Sequence, residues 1–97
     1  MRVTLDESGR VASLEQAVEA CAFGQAAAAL VGTGAIGLNG AEAARALAGV
    51  ERWLDEDVVE PWPGLGVLDP ARARRGRHGA ILLPFRALVA AIGEAAR

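Results

Sequence analysis

The stretch Val3-Thr4-Leu5-Asp6-Glu7-Ser8-Gly9-Arg10-Val11 decides how the rest of the chain is read. Two short β-prone runs flank a polar turn, and Gly9 supplies the positive φ that so short a connection demands, so the segment reads as an antiparallel hairpin. Alternation continues beyond Val11. Leu14, Gln16 and Val18 would share one face while Ser13, Glu15, Ala17 and Glu19 share the other, giving a second strand longer than the first with Leu14 and Val18 turned inward. A two-stranded hairpin is marginal alone and must pack on something else.

The following segments supply helices for it. Ala22 to Val31 is alanine-rich and has high helix propensity despite Gly24, with Gly32 as the expected stop. Asn39, followed three residues later by Glu42, has the spacing of a capping box and opens a second helix. Along it Ala43, Leu47, Val50 and Leu54 form an apolar stripe, leaving Arg45, Glu51 and Arg52 outside. The acidic run Asp55-Glu56-Asp57 and then Pro61-Trp62-Pro63-Gly64 break the periodicity and predict an ordered loop. Leu65, Val67 and Leu68 should re-enter the core, and Asp69 or Pro70 starts a short helical turn. A last helix is expected from Ile81 to Ala96, with Pro84 in its first turn and Ile81, Phe85, Leu88, Val89 and Ile92 on one side. The expectation is one α+β domain over residues 1–97, a small antiparallel sheet packed against three or more helices.

Composition narrows the function. A chain of 97 residues can bury roughly 60–65% of its unfolded surface, enough for one core. The apolar fraction is 53%, with only two Trp and two Phe, so Leu, Ile, Val and Ala must do the packing. A net charge of −2 argues against a surface built wholly for nucleic acid or anionic lipid. From Ala20 to Ala41 there is no charge, yet Gln25, Thr33, Asn39 and five glycines interrupt a run made mostly of alanine, which argues against a membrane span. One cysteine excludes an intramolecular disulfide, and Met1 to Asp6 lacks the apolar stretch of a secretory signal, so a cytoplasmic protein is expected.

Several segments carry possible chemistry. Gly32-Thr33-Gly34-Ala35-Ile36-Gly37 has the spacing of a dinucleotide loop, but an alanine-rich helical run precedes it where a strand is required. Arg72, Arg74, Arg75, Arg77 and His78 place five potential cations in seven positions. They either bind an anion or an acidic partner, or form a solvated segment offsetting Asp55, Glu56, Asp57 and Glu60. Trp53 and Trp62 are expected as core or loop anchors. No Ser-His-Asp or Cys-His-Asn set can be drawn, so the chain does not read as an enzyme. Cys21 falls where strand gives way to helix; it is either a small buried apolar residue or a thiol facing helical N–H groups that favour thiolate. His78, the single histidine, is the nearest candidate to pair with it.

The order of these blocks resembles the NifU/IscU/SufU-type scaffold domain of iron–sulfur cluster assembly. The likeness rests on Val3 to Val11, on Cys21-Ala22-Phe23-Gly24-Gln25-Ala26-Ala27-Ala28 against that family's Cys-small-Ile-Ser-x-Ala-Ser run, and on Arg77 to Leu88 against its last helix. It covers nearly the whole chain. The resemblance implies a non-catalytic, cytoplasmic scaffold that holds an iron–sulfur cluster or zinc, receives sulfur from a cysteine desulfurase, and forms a homo-oligomer in some settings. The family uses three cysteines plus an Asp or His. On this mapping Cys21 is the second cysteine, the first and its neighbouring Asp would precede Met1, and Gly79 or Ala80 stands where the third should be. Cys21 and His78 are then the implied metal and cofactor ligands, in a tetrahedral site that needs four donors. The competing expectation is the same fold used as an interaction module without metal, docking through Arg72 to His78.

Overall fold

The computed structural model describes residues 1–56 and 58–97, and the expectation attached to Asp57 lies outside them. The hairpin forms as read. Strand β1 (Arg2–Leu5) pairs antiparallel with β2 (Val11–Glu15), with Val3 opposite Leu14 and a bulge between Thr4 and Leu5. Asp6 organises the turn: its carboxylate accepts the amides of Ser8 and Arg10 at 2.9 and 3.0 Å and the Ser8 hydroxyl at 2.8 Å. Gly9 takes φ 78°, as expected. These bonds hold the Asp6 carboxyl below the usual carboxylate range, the Arg10 amide contributing most and the Ser8 hydroxyl next.

The second strand is shorter than its alternation suggested. Beyond Glu15 the side chain of Gln16 leaves the sheet pattern and donates to the Ala28 carbonyl at 2.8 Å. Residues 16–20 therefore run as a strap beside the first helix, and Val18, expected inward, is exposed. The 37–38 loop bonds to the start of the outer edge of β2, from Val11 N–H to the Leu38 carbonyl and from Gly37 N–H to the Val11 carbonyl.

Helix α1 (Ala22–Gly34) runs two residues past the Gly32 stop. The glycine that matters is Gly34, because a Cβ there would lie 2.6 Å from Cζ2 of Trp62. Trp62 lies flat against the end of α1, donates its indole N–H to the Leu30 carbonyl at 3.0 Å, and meets Phe85 edge to face with centroids 5.1 Å apart. Helix α2 (Gly40–Asp55) begins with the expected capping box: Asn39 Oδ1 accepts the Glu42 amide at 2.8 Å and Glu42 Oε1 accepts the Asn39 amide at 3.1 Å. Arg10 adds a bond to the same Glu42 oxygen at 2.6 Å, tying the hairpin to the start of α2.

Two 3₁₀ segments, Leu65–Ala71 and Arg75–Arg77, lead into helix α3 (His78–Ala95). With three residues per 3₁₀ turn, Leu65 and Leu68 eclipse on the buried side and Val67 is thrown outward, so its expected place in the core is overturned. Asp69 and Pro70 do lie in a short helical turn. Helix α3 starts three residues earlier than its periodicity indicated, which puts Pro84 in the second turn, where it removes an N–H that would have bonded the Ala80 carbonyl.

The core lies between α3 and everything else. Helix α3 packs on α1, α2 and β1, and its Ile81, Phe85, Leu88 and Ile92 are buried with Val11, Val31, Val50 and Leu65. Val89 is partly buried at the rim of this stripe. Both tryptophans are buried anchors. The α+β class with a hairpin on helices is thus the observed fold.

Candidate functional site around Cys21

Cys21 is the residue before the first turn of α1, in extended conformation, and is partly buried. A helix begins there because the alanine-rich run starts immediately after it, while the strap before it is held off the sheet by Gln16. No side-chain hydrogen bond caps this helix start. Even so, the Gly24 amide holds the thiol below its ordinary range; burial opposes the shift, and the Phe23 amide and the Arg77 charge reinforce it. The thiolate is the nucleophilic and metal-binding form of cysteine, so this end of α1 favours the reactive species.

Gly24 also sets the shape of the site. A Cβ on it would fall 2.8 Å from the Ala20 Cβ and 3.5 Å from the Ala80 carbonyl oxygen. Glycine therefore lets the first turn of α1 lie close to both the strap and the first turn of α3. A groove of about 170 Å³ opens beside it, lined by Val18, Ala20, Ala80, Leu83 and Ala87 among others. Val18 and Leu83 are two of the chain's exposed large hydrophobic residues, at 39% and 64%.

His78, the other expected ligand, is the first residue of α3, and its side chain is 13% exposed. Its Nε2 donates to the Arg72 carbonyl at 2.9 Å, and its Nδ1 lies 3.8 Å from Asp55 Oδ1. A ring N–H fixed on a backbone carbonyl leaves the other nitrogen as the free donor, the arrangement metal-bound histidines use. That nitrogen faces Asp55. Among the described residues no three His, Cys, Asp or Glu side chains converge where a metal ion would sit, so Cys21 does not join the His78–Asp55 pair. A zinc ion or a cluster needs four donors, and the described residues do not form that set.

The basic segment divides in two. Arg72 is structural: its guanidinium donates to the carbonyls of Trp53 and Glu56 at 2.9 and 2.6 Å, pairs with Asp69 at 3.1 Å, and stacks 4.5 Å above the Trp53 ring. Arg75 approaches Asp55 at 3.9 Å, whereas Arg74 and Arg77 are exposed and have no carboxylate partner among the described residues. The dinucleotide spacing is not realised, since Gly32, Thr33 and Gly34 are helical and follow a helix.

Sequence reasoning located Cys21 but missed Gly24 and the groove. Leu83 carried a usable signal, as a large apolar residue outside the buried stripe of its own helix. No family model, curated protein or solved structure matches this chain.

Proposed function

We propose that this chain is a scaffold-like domain of the iron–sulfur assembly type, non-catalytic, in which Cys21 is a single sulfur-accepting thiolate. The observation that carries the reading is the position of Cys21 at the start of α1, where the Gly24 amide and the Arg77 charge favour the thiolate. The hairpin-cysteine-helix order and the closing helix support it through the resemblance described above. Sulfur would arrive as the substrate. The Cys21 thiolate attacks the outer sulfur of a desulfurase persulfide, the desulfurase cysteine leaves as thiolate, and Cys21 carries the persulfide and its proton. Any cluster or zinc built from it takes its remaining donors from a partner chain or another segment, because the described residues hold no complete set.

The test is incubation with a cysteine desulfurase and L-cysteine under anaerobic conditions, followed by mass spectrometry of the Cys21 peptide. One added sulfur on Cys21, absent from Cys21→Ser, is the expected result. No added sulfur while the desulfurase turns over refutes the reading. A second reading, a metal-free interaction module docking through the basic segment, is favoured by the exposed guanidinium groups of Arg74 and Arg77. Unchanged capture of a partner by a chain carrying Arg74→Ala, Arg75→Ala and Arg77→Ala removes it.

A further inference from the structure

We propose that residues 16–20 are a hinged flap, which lifts away from α1 and α3 while the rest of the domain stays folded and so gates access to Cys21. The flap leaves the sheet at Glu15, the last residue paired with β1, and ends at Cys21, the residue before α1. Between these ends little holds it. Ala17, Val18, Glu19 and Ala20 are all exposed, and among the described residues none of the four takes part in a backbone-to-backbone hydrogen bond. A segment with exposed side chains and an unpaired backbone opens far more readily than the core.

Two side-chain amides act as its latches. Gln16 donates from Nε2 to the Ala28 carbonyl at 2.8 Å, a partly buried bond, and this nitrogen rests against Gly32, where a Cβ would come within 3.4 Å. At the other end Gln25 donates to the Ala20 carbonyl at 3.0 Å, an exposed bond that water can replace. The flap forms one wall of the groove of about 170 Å³ and faces Ala80 and Leu83 across it, so open space separates it from α3. The floor is Gly24 and Ala28, both buried. Lifting the flap therefore bares little apolar area, and little burial opposes the motion.

The lower hinge is Cys21 itself. Its carbonyl accepts the Gln25 amide at 2.9 Å and so stays with α1, while its N–H side travels with Ala20 and the flap. The thiol, partly buried with the flap down, turns toward solvent as the flap lifts. Gly24 sets how closely the flap can settle, because a Cβ there would fall 2.8 Å from the Ala20 Cβ. The gating is independent of whether Cys21 accepts sulfur.

Two measurements on the full chain test the proposal: the rate at which fluorescein maleimide labels Cys21 in native buffer, and native-state cleavage after Glu19 by a glutamate-specific protease, with cleavage after Glu51 in α2 as the control. Gln16→Ala and Gln16→Glu each remove the Nε2 donor, the second at unchanged length, and should raise both rates about threefold to tenfold. Gly24→Ala wedges the flap from beneath and should raise them about tenfold or more. Cleavage after Glu51 should stay at the wild-type rate. Labelling that matches wild type in all three variants overturns the proposal, as does cleavage after Glu19 that rises only in proportion to cleavage after Glu51, since both then follow global unfolding. Neither readout involves sulfur transfer, so failure here leaves the persulfide assignment standing, and failure there leaves the flap standing.

Discussion

Replacing Gly34 by alanine places a methyl carbon 2.6 Å from Cζ2 and 2.7 Å from Cε2 of Trp62, closer than any real Cβ contact. The ring cannot retreat freely. Its N–H is bonded to Leu30, it packs edge to face with Phe85, and it is 3% exposed. Overpacking of a filled core costs about 1–3 kcal/mol, and a lost indole hydrogen bond costs about 1 kcal/mol more. Alanine over glycine returns at most about 1 kcal/mol of helix propensity, less in a last turn. A net loss of about 2 kcal/mol in a domain of this size lowers Tm by roughly 8–16 °C. The assay is thermal and urea unfolding followed by tryptophan fluorescence, with Gly34→Ala compared in wild-type and Trp62→Leu backgrounds. The penalty should shrink by at least half when the ring is gone. A Gly34→Ala chain as stable as wild type, or an equal penalty in both backgrounds, refutes the reasoning.

Three other outcomes follow from the described bonds. Asn39→Ala should cost about 1–2 kcal/mol in urea unfolding, at the high end of the cap range because the capping carboxylate of Glu42 is also held by Arg10. Cys21 should be alkylated by iodoacetamide with a pH midpoint below that of the urea-unfolded chain, and Arg77→Gln should raise that midpoint slightly; identical folded and unfolded midpoints would contradict the site geometry. Glu42 is held below the usual carboxylate range by the Asn39 amide first and the Arg10 guanidinium second. Its share of stability is complete above the unfolded carboxylate range and is lost as pH falls through the folded value. Between about pH 5 and pH 2 the urea midpoint of wild type should therefore fall more steeply than that of Glu42→Gln.

What was legible in the sequence was whatever local spacing determines. The Asp6–Gly9 turn, the Asn39–Glu42 cap and the stripe from Ile81 to Ile92 all depend on residues within a few positions of each other, and all form as read. The departures from local spacing are tertiary. Gly32 was a plausible stop until Trp62, thirty residues away, needed the flat surface that Gly34 offers. Val18 alternated correctly for a strand, but Gln16 bonded to α1 and took the chain off the sheet. Arg72 reads with its neighbours as one of five potential cations, either binding an anion or offsetting nearby acids, because nothing local betrays the carbonyls of Trp53 and Glu56 that it binds. At the candidate site, the place of Cys21 before α1 was legible; the direction in which His78 faces was not, because Asp55 and Arg72 fix it from separate segments.

The central place of α3 bears on how this chain is made. Helix α3 covers β1, α1 and α2 and contributes Ile81, Phe85, Leu88 and Ile92 to a core they share. Residues 1–77 are synthesised and begin to emerge before that helix does, with Val11, Val31 and Val50 lacking their partner. The hairpin and first two helices should therefore stay loose and open to chaperone binding until α3 emerges, and the domain should then fold in a single late step.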